Sequence, residues 1–201
     1  MTSIGRFIVI EGPKGSGKTT TVKALSRLLP AETGRKCVSL AQPSNMPMGK
    51  LLRLGEATMG GHAYAMALAA DRLAQYEQVV RPALQRGVNV VMSRYTPSSL
   101  VLQRMDGVPL EDVWFYNRHA PAPDALFYLR HTQDELRRRL QGRNRQTRIQ
   151  TLGTPDRELQ FYEDARNFLE DRDWLQYGLH GDGKTPEQLA RHIIAVINRK
   201  F

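Results

Sequence analysis

Cysteine is nearly absent from this chain: of 201 residues, Cys37 alone is one. That excludes an internal disulfide and a cysteine metal cluster. Its place beside an apolar run suits a small core filler. Aromatic residues are few, at 7%. No apolar run approaches the length that spans a bilayer, so no membrane partner is expected. Met1 to Arg6 leads directly into an apolar run without the pattern of a signal peptide, which points to the cytoplasm. Acids are also in deficit. Lys and Arg number 29 against 20 Asp and Glu, a net charge of +9. Such an excess suits a soluble basic surface or a polyanionic partner, nucleic acid first. Hydrophobic residues make up 41% of the chain, as in an ordinary globule, and its length suits one domain over 1–201.

What is present is a phosphate-binding pattern. Gly12-Pro13-Lys14-Gly15-Ser16-Gly17-Lys18-Thr19 matches G-x-x-x-x-G-K-[ST] without a gap. Phe7–Ile10 before it has the apolar run of a buried strand. Thr20 to Leu29 after it has helical spacing. A strand, a glycine loop and a helix N-terminus form an anion cradle. Lys18 would reach the β- and γ-phosphates, and the Thr19 hydroxyl would ligate Mg²⁺. The chain is expected to bind ATP or GTP with Mg²⁺ through Gly12 to Thr20.

Strand and helix alternate along the rest. Strands are predicted at 36–41, 88–92, 125–129 and 174–179. Helices are predicted at 48–54, 62–85, 96–104, 110–118, 132–141, 156–169 and 185–199. Thr132, with Glu135 three residues on, is a candidate cap. Residues 142–155 are polar, basic and aperiodic. The alternation implies an α/β fold: a parallel sheet with helices on both faces and the nucleotide beyond the carboxyl ends of the strands.

Three clusters could carry chemistry. Ser93-Arg94-Tyr95 leaves the third strand beside the glycine loop. Asp71-Arg72 lies within the long helix, where an arginine could clamp a phosphate or simply face solvent. Arginines 137, 138, 139, 143, 145 and 148 include three in the 142–155 loop. Arg143, Arg145 and Arg148 could close as a lid over a transferring phosphoryl group.

These features together resemble the thymidylate kinase family over nearly the whole chain. The glycine loop, Ala69-Ala70-Asp71-Arg72, Pro82 before Gly87, Ser93-Arg94-Tyr95, Pro121-Ala122-Pro123-Asp124 and the arginine-rich loop fall in the family's order. The resemblance implies a three-layer P-loop kinase fold with a five-stranded parallel sheet and a lid. It implies transfer of the γ-phosphoryl of ATP to dTMP with Mg²⁺. Arg72 would hold an acceptor-side phosphate, Arg94 would support phosphate and loop geometry, and Ser99 would read the base. Tyr95 and Asp71 would join the acceptor site. Long helices like 62–85 often form dimers in the family.

The departures cluster on the acceptor side. Lys14 stands where the family usually has an acid that meets the acceptor's 3′-hydroxyl. Ser93 replaces an Asp that helps organise Mg²⁺. Ala41-Gln42-Pro43 replaces Arg-Glu-Pro. Leu68 replaces a thymine-stacking Phe, and Leu102 an aromatic beside the sugar. Thr147-Arg148-Ile149-Gln150 replaces Asp-Arg-x-Glu. A lysine at position 14 suits a 3′-phosphate, which a nucleotide within DNA carries. The favoured acceptor is therefore 5-hydroxymethyluracil in DNA, as for the bacteriophage DNA kinases that resemble this family, with the base taken out of the stack. Such an enzyme would work in the host cytoplasm. The alternatives are a dTMP kinase, or a non-catalytic relative that binds nucleotide or DNA. Asp71 and Glu11 are the acids nearest the motifs and the candidates for any catalytic base.

Overall fold

The structure is a computed structural model that describes residues 4–141 and 155–200. Five parallel strands form one sheet in the order β2-β3-β1-β4-β5. They are β1 (Phe7–Glu11), β2 (Cys37–Ala41), β3 (Asn89–Ser93), β4 (Ala125–Arg130) and β5 (Gln176–His180). The helices are α1 (Lys18–Thr33), α2 (Pro47–Gly55), α3 (Gly61–Gln75), α4 (Arg81–Gln85), α5 (Thr96–Met105), α6 (Leu110–Asn117), α7 (Gln133–Leu140), α8 (Pro155–Glu170) and α9 (Pro186–Lys200).

Successive side chains of a strand go to opposite faces. Ile8, Ile10, Val91, Phe127 and Leu129 meet Val22, Leu25 and Leu29 of α1 and Leu189, Ile193 and Ile197 of α9. Phe7, Val9, Val90, Met92, Leu126 and Tyr128 meet Leu100 and Val101 of α5 and Ala165 and Leu169 of α8. Both faces are covered, which is why the central strands read as unbroken apolar runs.

Three details differ from the sequence reading. The helix expected over 62–85 is broken by a π-turn at Tyr76–Val80 between α3 and α4. Pro82 has no N–H to donate to the carbonyl one turn back, so the regular ladder cannot pass through it. Cys37 lies on an edge strand and only borders the core. It is half-buried, and that burial pushes its thiol up to about 11. Trp174 precedes β5 instead of opening it, and its indole packs with Tyr95 in the core. Among the described residues, no helix is long and apolar enough to cross a membrane.

Candidate active site

The glycine loop joins β1 to α1, with Gly17 as the residue before the first helical turn. Gly17 has φ 88°, a left-handed conformation that a side chain would strain. The Lys18 ammonium donates to the carbonyls of Gly12 and Pro13, both at 2.7 Å, and to Ser16 Oγ at 3.3 Å. It therefore sits within the loop that would surround a phosphate chain. Thr19 is exposed at the start of α1, and the Thr20 hydroxyl donates to the Gly17 carbonyl at 2.8 Å.

Two later helices reach this loop. From α8, the Tyr162 hydroxyl donates to Gly12 O at 2.7 Å, and Glu158 accepts from the Lys14 amide at 3.3 Å. Burial, then the charge of Glu11, pushes the Tyr162 hydroxyl up, so it remains a donor. From α7, Leu140 and Arg139 lean over the glycines. A Cβ on Gly15 would meet Leu140 at 3.3 Å, and one on Gly17 would meet Arg139 Nη1 at 3.6 Å. Thr132 caps α7 as expected, accepting from the Glu135 amide. Bonds from Arg138 and Arg139 lower the Glu135 carboxyl to about 2. The 137–139 cluster is thus balanced by Asp134 and Glu135 within its own helix.

Glu11 ends β1 with its carboxylate fully buried. Its Oε1 accepts from the amides of Tyr95 at 2.6 Å and Ser98 at 3.1 Å. Its Oε2 accepts from the Ser98 hydroxyl at 2.8 Å. Arg94 reaches the same hydroxyl with Nη1 at 3.1 Å. Burial opposes the Arg94 charge, but Tyr162, Glu11 and Glu158 outweigh it and raise its pKa. Arg94 has φ 68°, unusual for a residue with a side chain, and such strain collects at functional positions.

The acceptor-side expectations need correction at several positions. Asp71 is fully buried, and its two oxygens accept from the Ser44 amide at 2.7 Å and hydroxyl at 2.5 Å. It ties the β2–α2 loop to α3 and is no free base. The Gln42 amide likewise donates to Gln75 of α3 at 2.5 Å. Arg72 is 2% exposed and points at Ser99, 2.8 Å away, and at the Tyr95 carbonyl, 3.2 Å away. Its Nη1 donates to Asn117 Oδ1. Desolvation lowers Arg72 to about 10, partly offset by Tyr95, Glu11 and Asp71. Arg72 thus joins Ser99, the expected base reader, in one buried cluster. The Tyr95 ring is in the core, edge-on to Phe7 at 5.2 Å, and meets the site through the Arg72 guanidinium, 5.6 Å from its centroid. Leu102 packs on the same core, and Leu68 packs with Leu52 and Tyr64.

Arg143, Arg145 and Arg148 lie outside the described residues. For Mg²⁺, no group of three His, Cys, Asp or Glu side chains could hold a metal among the described residues. Ser93 is buried at the end of β3. A P-loop site needs few protein ligands, because the nucleotide and water supply the remaining oxygens, and the exposed Thr19 fits that role. Sequence reasoning missed Asn117, Tyr162 and His131. His131 had a signal, since it leaves β4 at the sheet's carboxyl edge as Arg94 leaves β3. Tyr162 had none, being distant in sequence.

Comparison with known proteins agrees with this geometry. A family model described as "Thymidylate kinase" matches residues 10–170. The chain is 29% identical to a "Probable thymidylate kinase" of Pyrobaculum calidifontis, over 96% of each chain. It is 37% identical to a thymidylate kinase of Xanthomonas campestris over 131 residues, 64% of this chain and 57% of that one. A solved thymidylate kinase structure from Candida albicans has the same fold, with a TM-score of 0.76, 19% identity, and coverage of 99% of this chain and 93% of that chain.

Proposed function

Because the chain belongs to the thymidylate kinase family of ATP-dependent kinases, we propose that it transfers the γ-phosphoryl group of ATP to dTMP, giving dTDP and ADP. One observation carries this reading. Arg72, Ser99 and Asn117 make a buried polar cluster beside the carboxyl edge of the sheet, and the Arg72 Nε in it has no partner among the described residues. Buried donors without partners are costly, so such a group suits the polar edge of a bound base. This order reverses the preference drawn from sequence for a base in DNA.

Roles follow from position. Lys18 and the loop amides would neutralise charge on the β- and γ-phosphates. Arg94, held by Ser98 and braced by Glu11, would face the phosphoryl group between donor and acceptor. Mg²⁺, when bound through Thr19 and the phosphates, supplies charge neutralisation. The acceptor phosphate oxygen attacks the γ-phosphorus in line, forming the new P–O bond as the β–γ bridge breaks to ADP.

Lys14 supports a second reading. Its amide faces Glu158 across the loop, and its charge adds to the net +9. A 5-hydroxymethyluracil base in DNA would then be the acceptor. Labelled ATP with dTMP, plain DNA or 5-hydroxymethyluracil DNA in separate reactions decides between them. Label on dTMP supports the first reading; label on modified DNA alone overturns it.

A further inference from the structure

His131 follows β4 with its side chain wholly out of solvent. Its Nε2 lies 2.9 Å from the carbonyl oxygen of Ser16 in the glycine loop. Its Nδ1 lies 2.7 Å from Asp182 Oδ1 in the β5–α9 turn. A carbonyl only accepts, and so does an ionised carboxylate. Desolvation works against the Asp182 charge, yet bonds from Thr132 and His131 hold its carboxyl below the usual range. The ring therefore bridges two acceptors, one on the glycine loop and one on the β5–α9 turn.

The surroundings are built for this ring. A Cβ on Gly181 would come within 2.4 Å of His131 Cε1, so the ring lies on bare backbone. Asp182 Oδ2 also accepts from the Thr132 amide at 3.0 Å, at the cap of α7. One ring thus joins the glycine loop, the start of α7 and the β5–α9 turn. The peptide group adds a directional consequence. It is planar and trans, so its C=O and N–H point in opposite directions. Holding the Ser16 carbonyl at His131 turns the Gly17 N–H away from the ring.

We propose that His131 is a positioning residue for the donor triphosphate, fixing the Ser16–Gly17 peptide from behind the loop. The proposal rests on the reading of that loop as the ATP site. Other titratable and charged groups face the same region: Arg130 and His180 at the strand ends, Glu163 and Arg166 on α8, Lys18 in the loop and Arg139 on α7. Arg130 and Arg166 are paired with Glu163, and Arg139 with Glu135, which leaves Asp182 as the carboxylate that holds the ring.

Asp182→Asn probes the arrangement in a specific way. The new side-chain amide can still hold Nδ1, through its oxygen or its nitrogen, while Nε2 keeps Ser16.

The test is calorimetric binding of a non-hydrolysable ATP analogue with Mg²⁺ at one pH, with no acceptor present. His131→Leu should weaken binding about tenfold, the loss of one hydrogen bond to the loop. Asp182→Asn, which keeps the ring held, should bind within about threefold of wild type. Nitrogen NMR of the free wild-type protein should find a proton on the His131 Nε2, as its bond to the Ser16 carbonyl requires, whether or not the leucine variant folds. An Nε2 that carries no proton, or wild-type affinity in His131→Leu, overturns the proposal. Lys18→Ala separates the two levels. If it weakens binding and His131→Leu changes nothing, the positioning role fails alone. If Lys18→Ala also has no effect, the ATP-site reading fails with it.

Discussion

Glu11 receives both the amide and the hydroxyl of Ser98, at 3.1 and 2.8 Å, with no exposed surface of its own. The strand that feeds the phosphate loop is thereby fastened to α5, the helix that carries Ser99. The proposed donor and acceptor halves of the site share one buried carboxylate. Glu11→Ala would leave two amides and a hydroxyl without that acceptor and Arg94 without one of the carboxylates that favour its charge. A stability loss of at least about 3 kcal/mol is expected in urea unfolding. An unchanged midpoint would remove Glu11 from this role.

Lys18 tests the loop. Lys18→Ala should fold normally and lose at least about 100-fold in turnover, since a donor aimed at developing charge is gone. Near-normal turnover would defeat the assignment of residues 12–19 as the phosphate cradle.

Arg72 tests the acceptor side. Its two terminal nitrogens divide between Asn117 on one side and Ser99 with the Tyr95 carbonyl on the other. Arg72→Lys retains charge but loses the planar fork. The KM for dTMP should rise about 10- to 100-fold, with a smaller change in the KM for ATP. Steady-state kinetics with each substrate varied would measure both. Equal effects on the two would remove Arg72 from acceptor recognition.

Asp71 separates a brace from a base. Asp71→Asn keeps one acceptor oxygen for Ser44, so stability should fall by about 1–3 kcal/mol. Turnover should stay within tenfold, whereas loss of a general base typically costs about 10²–10⁴. Unfolding and single-turnover rates on the same preparation distinguish the two.

Glu135 gives an acid-range prediction. Its carboxyl is lowered to about 2 by Arg138 and Arg139. A depressed carboxyl contributes stability above its unfolded value, lost as pH falls toward about 2. Glu135→Gln should flatten that part of the stability curve, measured by thermal unfolding between neutral pH and the acid limit. Arg138 is largely exposed and Glu135 part-buried, so solvent screening keeps the effect at neutral pH small.

The phosphate loop was legible because it is local. Eight consecutive residues between an apolar run and an amphipathic helix specify a cradle whose chemistry is mostly backbone. The parallel sheet was legible for a similar reason, since strands covered on both faces are apolar throughout. Side chains on the acceptor side were harder. The family resemblance gave Arg72 an acceptor phosphate, and its local sequence left a solvated face open. In the fold its guanidinium meets Ser99 and Asn117, 27 and 45 residues away. Tyr95 was grouped with its neighbours Ser93 and Arg94, yet the left-handed turn at Arg94 sends its ring into the core.

The sequence by itself determined the family, the strand–helix alternation and the glycine loop between β1 and α1, because each rests on short-range pattern. Only the tertiary structure decided which polar groups face each other across the sheet's carboxyl edge. Glu11 with Ser98, Asp71 with Ser44 and His131 with Asp182 are pairs far apart in the chain. Hydrogen bonding depends on distance and direction, and those are set only when strands and helices have packed.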